Sequence, residues 1–192
     1  MIFMRKFFLF VWEIVKVVSI SLAIILPVRY YLIQPFYVKG ASMEPNFHDH
    51  EYLVIDEISY RFNPPERGQV IVFRYPRNPQ EYFIKRVIAL PGEDVQMKDG
   101  NVIIYNDTNP DGMTLNEAYL PTGLETADNN GAKIKIGDNE YFVLGDNRGA
   151  SKDSRSFGAV DKTFITGKVL FRGWPLSKIT VFNNSFWPSY QD

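Results

Sequence analysis

Between Phe7 and Val28 the chain runs through 22 residues of which 17 are apolar, broken only by Glu13, Lys16, Ser19, Ser21 and Pro27. Coiled as an α-helix at about 1.5 Å per residue, such a segment reaches about 33 Å, enough to cross a bilayer hydrocarbon core of about 30 Å. Glu13 and Lys16 oppose that reading, since a charge at mid-membrane costs ~2.5–3.5 kcal/mol. They stand three residues apart on one helical face, where they can pair. The deepest stretch is then Val17 to Val28, with Lys16 and Arg29 reaching outward at its ends. Trp12, Tyr30 and Tyr31 occupy interfacial positions, and Arg5 and Lys6, with no acid before Glu13, favour a cytoplasmic N-terminus. Two other fates compete. A cleaved signal peptide requires small residues after the apolar run, and Pro27-Val28-Arg29-Tyr30-Tyr31 offers none. An in-plane amphipathic helix draws support only from the Glu13/Lys16 pair. The segment predicts a single-pass anchor over residues 1–33, with residues 34–192 on the far side of the membrane.

Beyond Pro35 the helical period disappears, and short apolar runs alternate with turn signals. The runs are 52–55, 69–73, 82–90, 95–97, 102–105, 141–144 and 168–171. Asp99-Gly100 between two of them is a strong hairpin signal. Residues 106–135 turn polar and read as an inserted loop or small cap. The pattern predicts a mainly β, antiparallel, partly barrelled domain behind one transmembrane helix. Trp174 and Trp187 mark a tail whose place the sequence leaves open.

The inventory of reactive groups is short. Without cysteine there is no thiol nucleophile, disulfide or zinc-thiolate site, and two histidines, His48 and His50, cannot build a histidine-rich metal centre. A net charge of −1 gives no broad basic surface for nucleic acid. His48 as the base of a Ser-His-Asp triad would stand six residues from Ser42 in the same loop, an awkward geometry. Catalysis would then run on hydroxyls, amines, carboxylates or those two histidines, and one alternative is a serine activated by a neutral lysine. Such a lysine must fall from a pKa of ~10.4 toward ~7, which burial among apolar groups can achieve. Most lysines here lie in turns or at polar strand ends. Lys85 lies inside Tyr82–Leu90, where strand alternation sets it on one face with Phe83, Val87 and Ala89. An edge lysine reaching past apolar neighbours is the plainer reading of that pattern. The candidate nucleophile is Ser42, just after the anchor; Gly40 and Ala41 beside it leave room for a substrate backbone, and Met43 offers adaptable apolar surface. In the polar loop Gly145–Gly158, Asp153 and Arg155 can pair and brace Ser151.

Four stretches taken together are more specific. Ser42-Met43-Glu44-Pro45, then Arg67–Phe73, then Tyr82–Glu93, then Gly145-Asp146-Asn147-Arg148 through Ser151, Asp153-Ser154-Arg155 and Phe157-Gly158 resemble, in order, the motifs of bacterial type I signal peptidases. The resemblance implies a membrane-bound serine endopeptidase that needs no cofactor and removes signal peptides from translocated preproteins after small residues at −1 and −3. It implies Ser42 as nucleophile, its backbone amide as oxyanion donor, and Lys85 as general base. Ser151 would hold the Lys85 amine, Asp153 and Arg155 would brace that loop, and Asp146 and Arg86 would support it. Val38, Gly40, Met43 and Phe83 match substrate-pocket positions. The chain departs from the pattern at Gly40, where some members carry an oxyanion-binding serine, at Asn46-Phe47 in place of the commoner Thr-Leu, and at Gly149-Ala150. Lysine rather than histidine as base points away from the endoplasmic-reticulum branch. A self-cleaving protease of the LexA repressor type shares the dyad logic but would carry a DNA-binding domain where this chain has its anchor. A catalytically silent, membrane-tethered β module is the rival from another class.

Overall fold

The computed structural model describes residues 2–31, 33–127 and 131–182, without the side chains of residues 2, 3, 27–31 and 33. Arg29, Tyr30, Tyr31 and Trp187, weighed above, therefore fall outside the described side chains. Helix α1 (Ile2–Tyr31) contains the apolar run. Its Met4–Leu26 portion has a mean hydropathy of 2.3, and none of it is buried against the rest of the chain. A helix this apolar and this exposed is long enough to cross a membrane. Lys16 Nζ lies 2.7 Å from Glu13 Oε1, so the two charges in the run meet as an i,i+3 pair.

The remainder is mainly antiparallel β, as the alternating runs predicted. The larger sheet contains β1 (Ile33–Tyr37), β2 (Tyr52–Asp56), β3 (Val70–Tyr75), β4 (Asn78–Ala89), β9 (Glu140–Leu144), β10 (Val160–Asp161), β11 (Ile165–Trp174) and β12 (Thr180–Val181). Its order is β1-β2-β11-β3-β4-β9-β10, with β12 added on β11. The smaller sheet has the order β7-β6-β5-β8, formed by β5 (Asp94–Lys98), β6 (Asn101–Tyr105), β7 (Met113–Thr114) and β8 (Ile134–Lys135). Both sheets are open, with free edges rather than a closed barrel. The β5–β6 hairpin turns at Asp99 (φ 51°) and Gly100 (φ 79°), the two left-handed residues that a type I′ turn requires. Residues 106–135 are more than a cover, because they supply β7 and β8 to the edges of the smaller sheet. Two single-turn helices, α2 (Ser59–Phe62) and α3 (Ser154–Phe157), interrupt the strands.

Strand β4 matters most for function. From Lys85 to Ala89 every side chain is buried, so both of its faces are covered. Ile84 packs with Val38, Met43, Phe47 and Leu53, whereas Val87 packs with Ile71, Phe73 and Val143. Strict alternation assigned Ala89 to the face of Lys85. A register shift between Val87 and Ala89 along the pairing with β9 breaks that alternation, and Ala89 instead joins Ile88 in the core beneath the smaller sheet.

Candidate active site

Ser42 sits in a turn that leaves the end of β1 and re-enters at β2. Val38 N–H donates to Glu51 O and His50 N–H to Val38 O, closing the base of the turn. Met43 and Phe47 are buried beneath it and pin it to the core. Gly40 adopts φ +89°, a left-handed conformation that side chains disfavour, and a Cβ there would meet nothing within 4 Å. Its N–H donates to Asp49 Oδ1 at 3.0 Å. The approach to Ser42 is therefore open on the Gly40 side. Among the described residues no acceptor engages the Ser42 backbone N–H.

Lys85 pairs in register with Ile71 on β3 and is 3% exposed. Its Nζ lies 2.7 Å from Ser42 Oγ and 2.7 Å from Ile84 O, with the Phe83 ring 5.4 Å away. Burial among apolar groups drives the amine down from 10.5 to about 8, against the opposing pull of the Asp153 and Asp146 carboxylates. At that value about a tenth of the amine is neutral and able to accept a proton at pH 7, and more as the pH rises.

The loop after β9 closes over this pair. Asn147 N–H donates to Ser42 O, and Asn147 Nδ2 to Ala41 O, each at 3.1 Å. Gly145 lies so close that an added Cβ would stand 2.4 Å from Ser42 O and 2.1 Å from Ser151 Oγ. Ser151 Oγ is buried beside Gly145 and makes no well-formed hydrogen bond; the partners of Lys85 Nζ are Ser42 Oγ and Ile84 O. Asp153 caps α3, accepts from Arg155 Nε and Nη2 at 2.8 Å each, and accepts Gly145 N–H at 3.1 Å. Burial pushes the Asp153 carboxyl up, but the Arg155 guanidinium, the Gly145 amide and the nearby Ser151 hydroxyl more than offset it and hold the group below its ordinary range. Arg86 grips Asp146 in a two-bonded fork at 2.8 and 2.6 Å, both side chains fully buried. The same guanidinium donates to Gly68 O and stacks 3.9 Å from the Tyr119 ring centre.

Ser42, Lys85, Ser151, Asp153, Arg155, Asp146 and Arg86 thus gather around one point, although they come from three separate stretches of chain. Of the four positions expected to line a substrate pocket, Val38 and Phe83 border an open cleft of about 460 Å³ that also contains Ser42 and Lys85. Met43 does not: its flexible side chain fills the core under the turn. Gly40 borders the cleft through neither side chain nor lining atoms. His48 and His50 face each toward a carboxylate, Glu44 and Asp49, at the outer rim of the turn. Among the described residues no group of three or more His, Asp or Glu side chains converges as a metal site.

Sequence reasoning gave no role to Asn46, Tyr119, Arg148 or Glu117. Arg148 is buried, donates to Gly145 O at 3.1 Å, and meets Glu117 and Thr126 from the polar segment after β7. A buried arginine beside a motif needs a carboxylate, and Glu117 is one of the few acids in that segment; that was the available signal.

Taken together, the antiparallel body, the buried lysine on a serine hydroxyl and the helix long and apolar enough to cross a membrane fit the class of serine peptidases. A sequence model of the family described as "Signal peptidase, peptidase S26" matches residues 11–174. A probable signal peptidase I-1 of Synechocystis sp. is 36% identical over 176 residues, 88% of this chain and 85% of that protein. Signal peptidase IB of Staphylococcus aureus is 33% identical over 182 residues, 89% of this chain and 92% of that protein. The crystal structure of a signal peptidase I from Enterococcus faecalis V583 shares 32% identity, covering 55% of this chain and 97% of that one with a TM-score of 0.45. The chain belongs to the signal peptidase I family of serine peptidases.

Proposed function

We propose that this protein removes signal peptides from translocated preproteins, with Ser42 as nucleophile and Lys85 as general base, cutting after small residues at −1 and −3. The observation that carries the reading is the 2.7 Å contact between Ser42 Oγ and the buried Lys85 Nζ. Neutral Lys85 accepts the Ser42 hydroxyl proton as Oγ attacks the scissile carbonyl carbon. The Ser42 N–H, free of any internal acceptor among the described residues, donates to the oxyanion. The Lys85 ammonium then returns the proton to the departing amine, and the C–N bond breaks to leave an acyl-enzyme. Water attacks that ester with Lys85 again taking the proton, and the Ser42 oxygen leaves with it. Asp153 and Arg155 hold the loop that carries Ser151, and Asp146 with Arg86 holds its base.

The cleft supports the substrate preference. One wall is the end of β1 with the two residues after it, 36–39, and the other is residues 81–85 of β4. Strand β1 is the last in its sheet, and β9 pairs with β4 only from Arg86 onward, so both walls present an unused strand edge. An extended peptide adding between those edges directs every second side chain the same way, which couples positions −1 and −3. Those side chains meet an apolar floor of Val38, Leu53, Val72 and Ile84. Arg5 and Lys6 set the N-terminus in the cytoplasm and the site on the outer side. There α1 confines the enzyme to the bilayer that also holds the apolar segment of the substrate, raising their effective concentration.

Adding the purified protein to a labelled preprotein and locating the cut by mass tests the reading. Ser42→Ala and Lys85→Met should each stay folded and release no signal peptide. Full cleavage by either variant, or a cut after a large side chain, contradicts it.

A further inference from the structure

Asn46 lies four residues after Ser42, in the same turn, and its one side-chain amide makes two long-range bonds. Nδ2 donates to Asp146 Oδ2 at 2.9 Å and to Tyr119 O at 2.9 Å. Both partners are pure acceptors, so the nitrogen rather than the oxygen of the amide must face them. The Asn46 backbone carbonyl in turn accepts from Arg172, which pairs with buried Glu51 at 2.8 Å.

These bonds are reciprocal. From the other side, Asn147 holds the backbone of Ala41 and Ser42, while Asn46 holds the side chain of Asp146, the residue before Asn147. Each loop is gripped by an asparagine of the other. The Asp146 carboxylate is also forked by Arg86, the residue after Lys85. The second Asn46 proton draws in Tyr119, whose ring covers the Arg86 guanidinium and whose hydroxyl accepts from Arg148 at 3.1 Å. A hydroxyl at position 46 has one proton to donate, so it can serve one of these acceptors but not both.

We propose that Asn46 is a positioning residue, locking the Ser42 turn to the Asp146 loop and at once to the Tyr119 segment, which makes the polar segment after β7 a working part of the site. The proposal rests on the Ser42/Lys85 reading, because its purpose is to fix the distance between those two groups. A hydrogen bond to a buried carboxylate is a charge-assisted one, and its loss is felt at the geometry it holds.

The test is steady-state cleavage of one peptide substrate by the full chain in detergent, with Ser42→Ala as reference. Asn46→Ala should lower kcat about tenfold or more, the size of one lost charge-assisted bond, while KM moves less than about threefold. Asn46→Thr should recover part of kcat. In both variants amide hydrogen exchange should rise across residues 117–126, because the Asn46 bond to Tyr119 O is lost or shared. If Asn46→Ala keeps kcat within twofold and loses only melting temperature, the residue is merely structural and the proposal is overturned. Equal kcat for Asn46→Thr and Asn46→Ala, or unchanged exchange at 117–126, overturns the two-bond lock. Should Asn46→Ala not fold, Asn46→Thr against the parent decides the question by the same kcat and exchange readings. Activity in Ser42→Ala would be a different failure, that of the nucleophile assignment itself.

Discussion

Replacing Lys85 by methionine should abolish cleavage and yet make the protein more stable at neutral pH. The amine is 3% exposed, and its pKa falls from 10.5 to about 8 because burial disfavours its charge. At about 1.36 kcal/mol per pH unit, keeping this lysine in the folded protein costs about 3 kcal/mol below pH 8, where the unfolded chain carries the charge freely. Methionine has similar length and no charge to desolvate. It forgoes the bonds to Ser42 Oγ and Ile84 O, worth about 1 kcal/mol each, so the net gain at pH 7 is about 1–2 kcal/mol. The pH dependence carries the sharper signature. Between 8 and 10.5 the unfolded chain binds more protons at this site than the folded one, so parent stability rises with pH in that window relative to the variant. The advantage of Lys85→Met should therefore shrink by about 2.5 kcal/mol between pH 7 and pH 10. Urea unfolding of both proteins in the same detergent, followed by tryptophan fluorescence at those two pH values, measures it. A variant less stable at pH 7, with a difference that does not change up to pH 10, would refute the idea that burial depresses this amine.

Two further substitutions probe the frame around the pair. Gly145→Ala would drive a methyl into Ser42 O and Ser151 Oγ, and a displacement of about 1 Å at a reacting group can cost ~100-fold, so kcat should fall by about that much with a lowered melting temperature; wild-type kinetics would mean the loop yields freely. Arg86→Met leaves the fully buried Asp146 carboxylate without its fork and should destabilise the fold by about 3–5 kcal/mol in urea titration; a loss below 1 kcal/mol would show that Asn46 alone satisfies Asp146.

Much of this molecule is visible in its sequence, for reasons that differ from place to place. The anchor follows from the length and apolarity of one run, which no packing partner has to complete. The β5–β6 hairpin follows from Asp99-Gly100, since few residue pairs accept two left-handed conformations in succession. The seven main runs appear as strands because β-branched and aromatic side chains fill them. The two-residue strands β7, β8, β10 and β12 left no pattern, since two residues cannot display a period. The bulge at Val87–Ala89 was hidden too, because it depends on β9, which lies over fifty residues further along the chain. At the site, Ser42 and Lys85 stood out by motif order, and Asp153–Arg155 by local charge pairing. The expected Ser151–Lys85 contact is replaced by a Ser151 hydroxyl set against Gly145. Asn46 and Tyr119 were invisible because their partners lie 100 and 73 residues from Asn46 along the chain, and nothing local marks an asparagine as bridging them.

The most direct measurement is the single-turnover rate of acyl-enzyme formation with a fixed peptide substrate from pH 5 to pH 10. With an amine that loses its proton at about 8 acting on Ser42, the rate should climb about tenfold per pH unit below 7 and level off above 9. A rate already flat at pH 5, or one that Lys85→Met leaves with the same pH profile, would contradict the account.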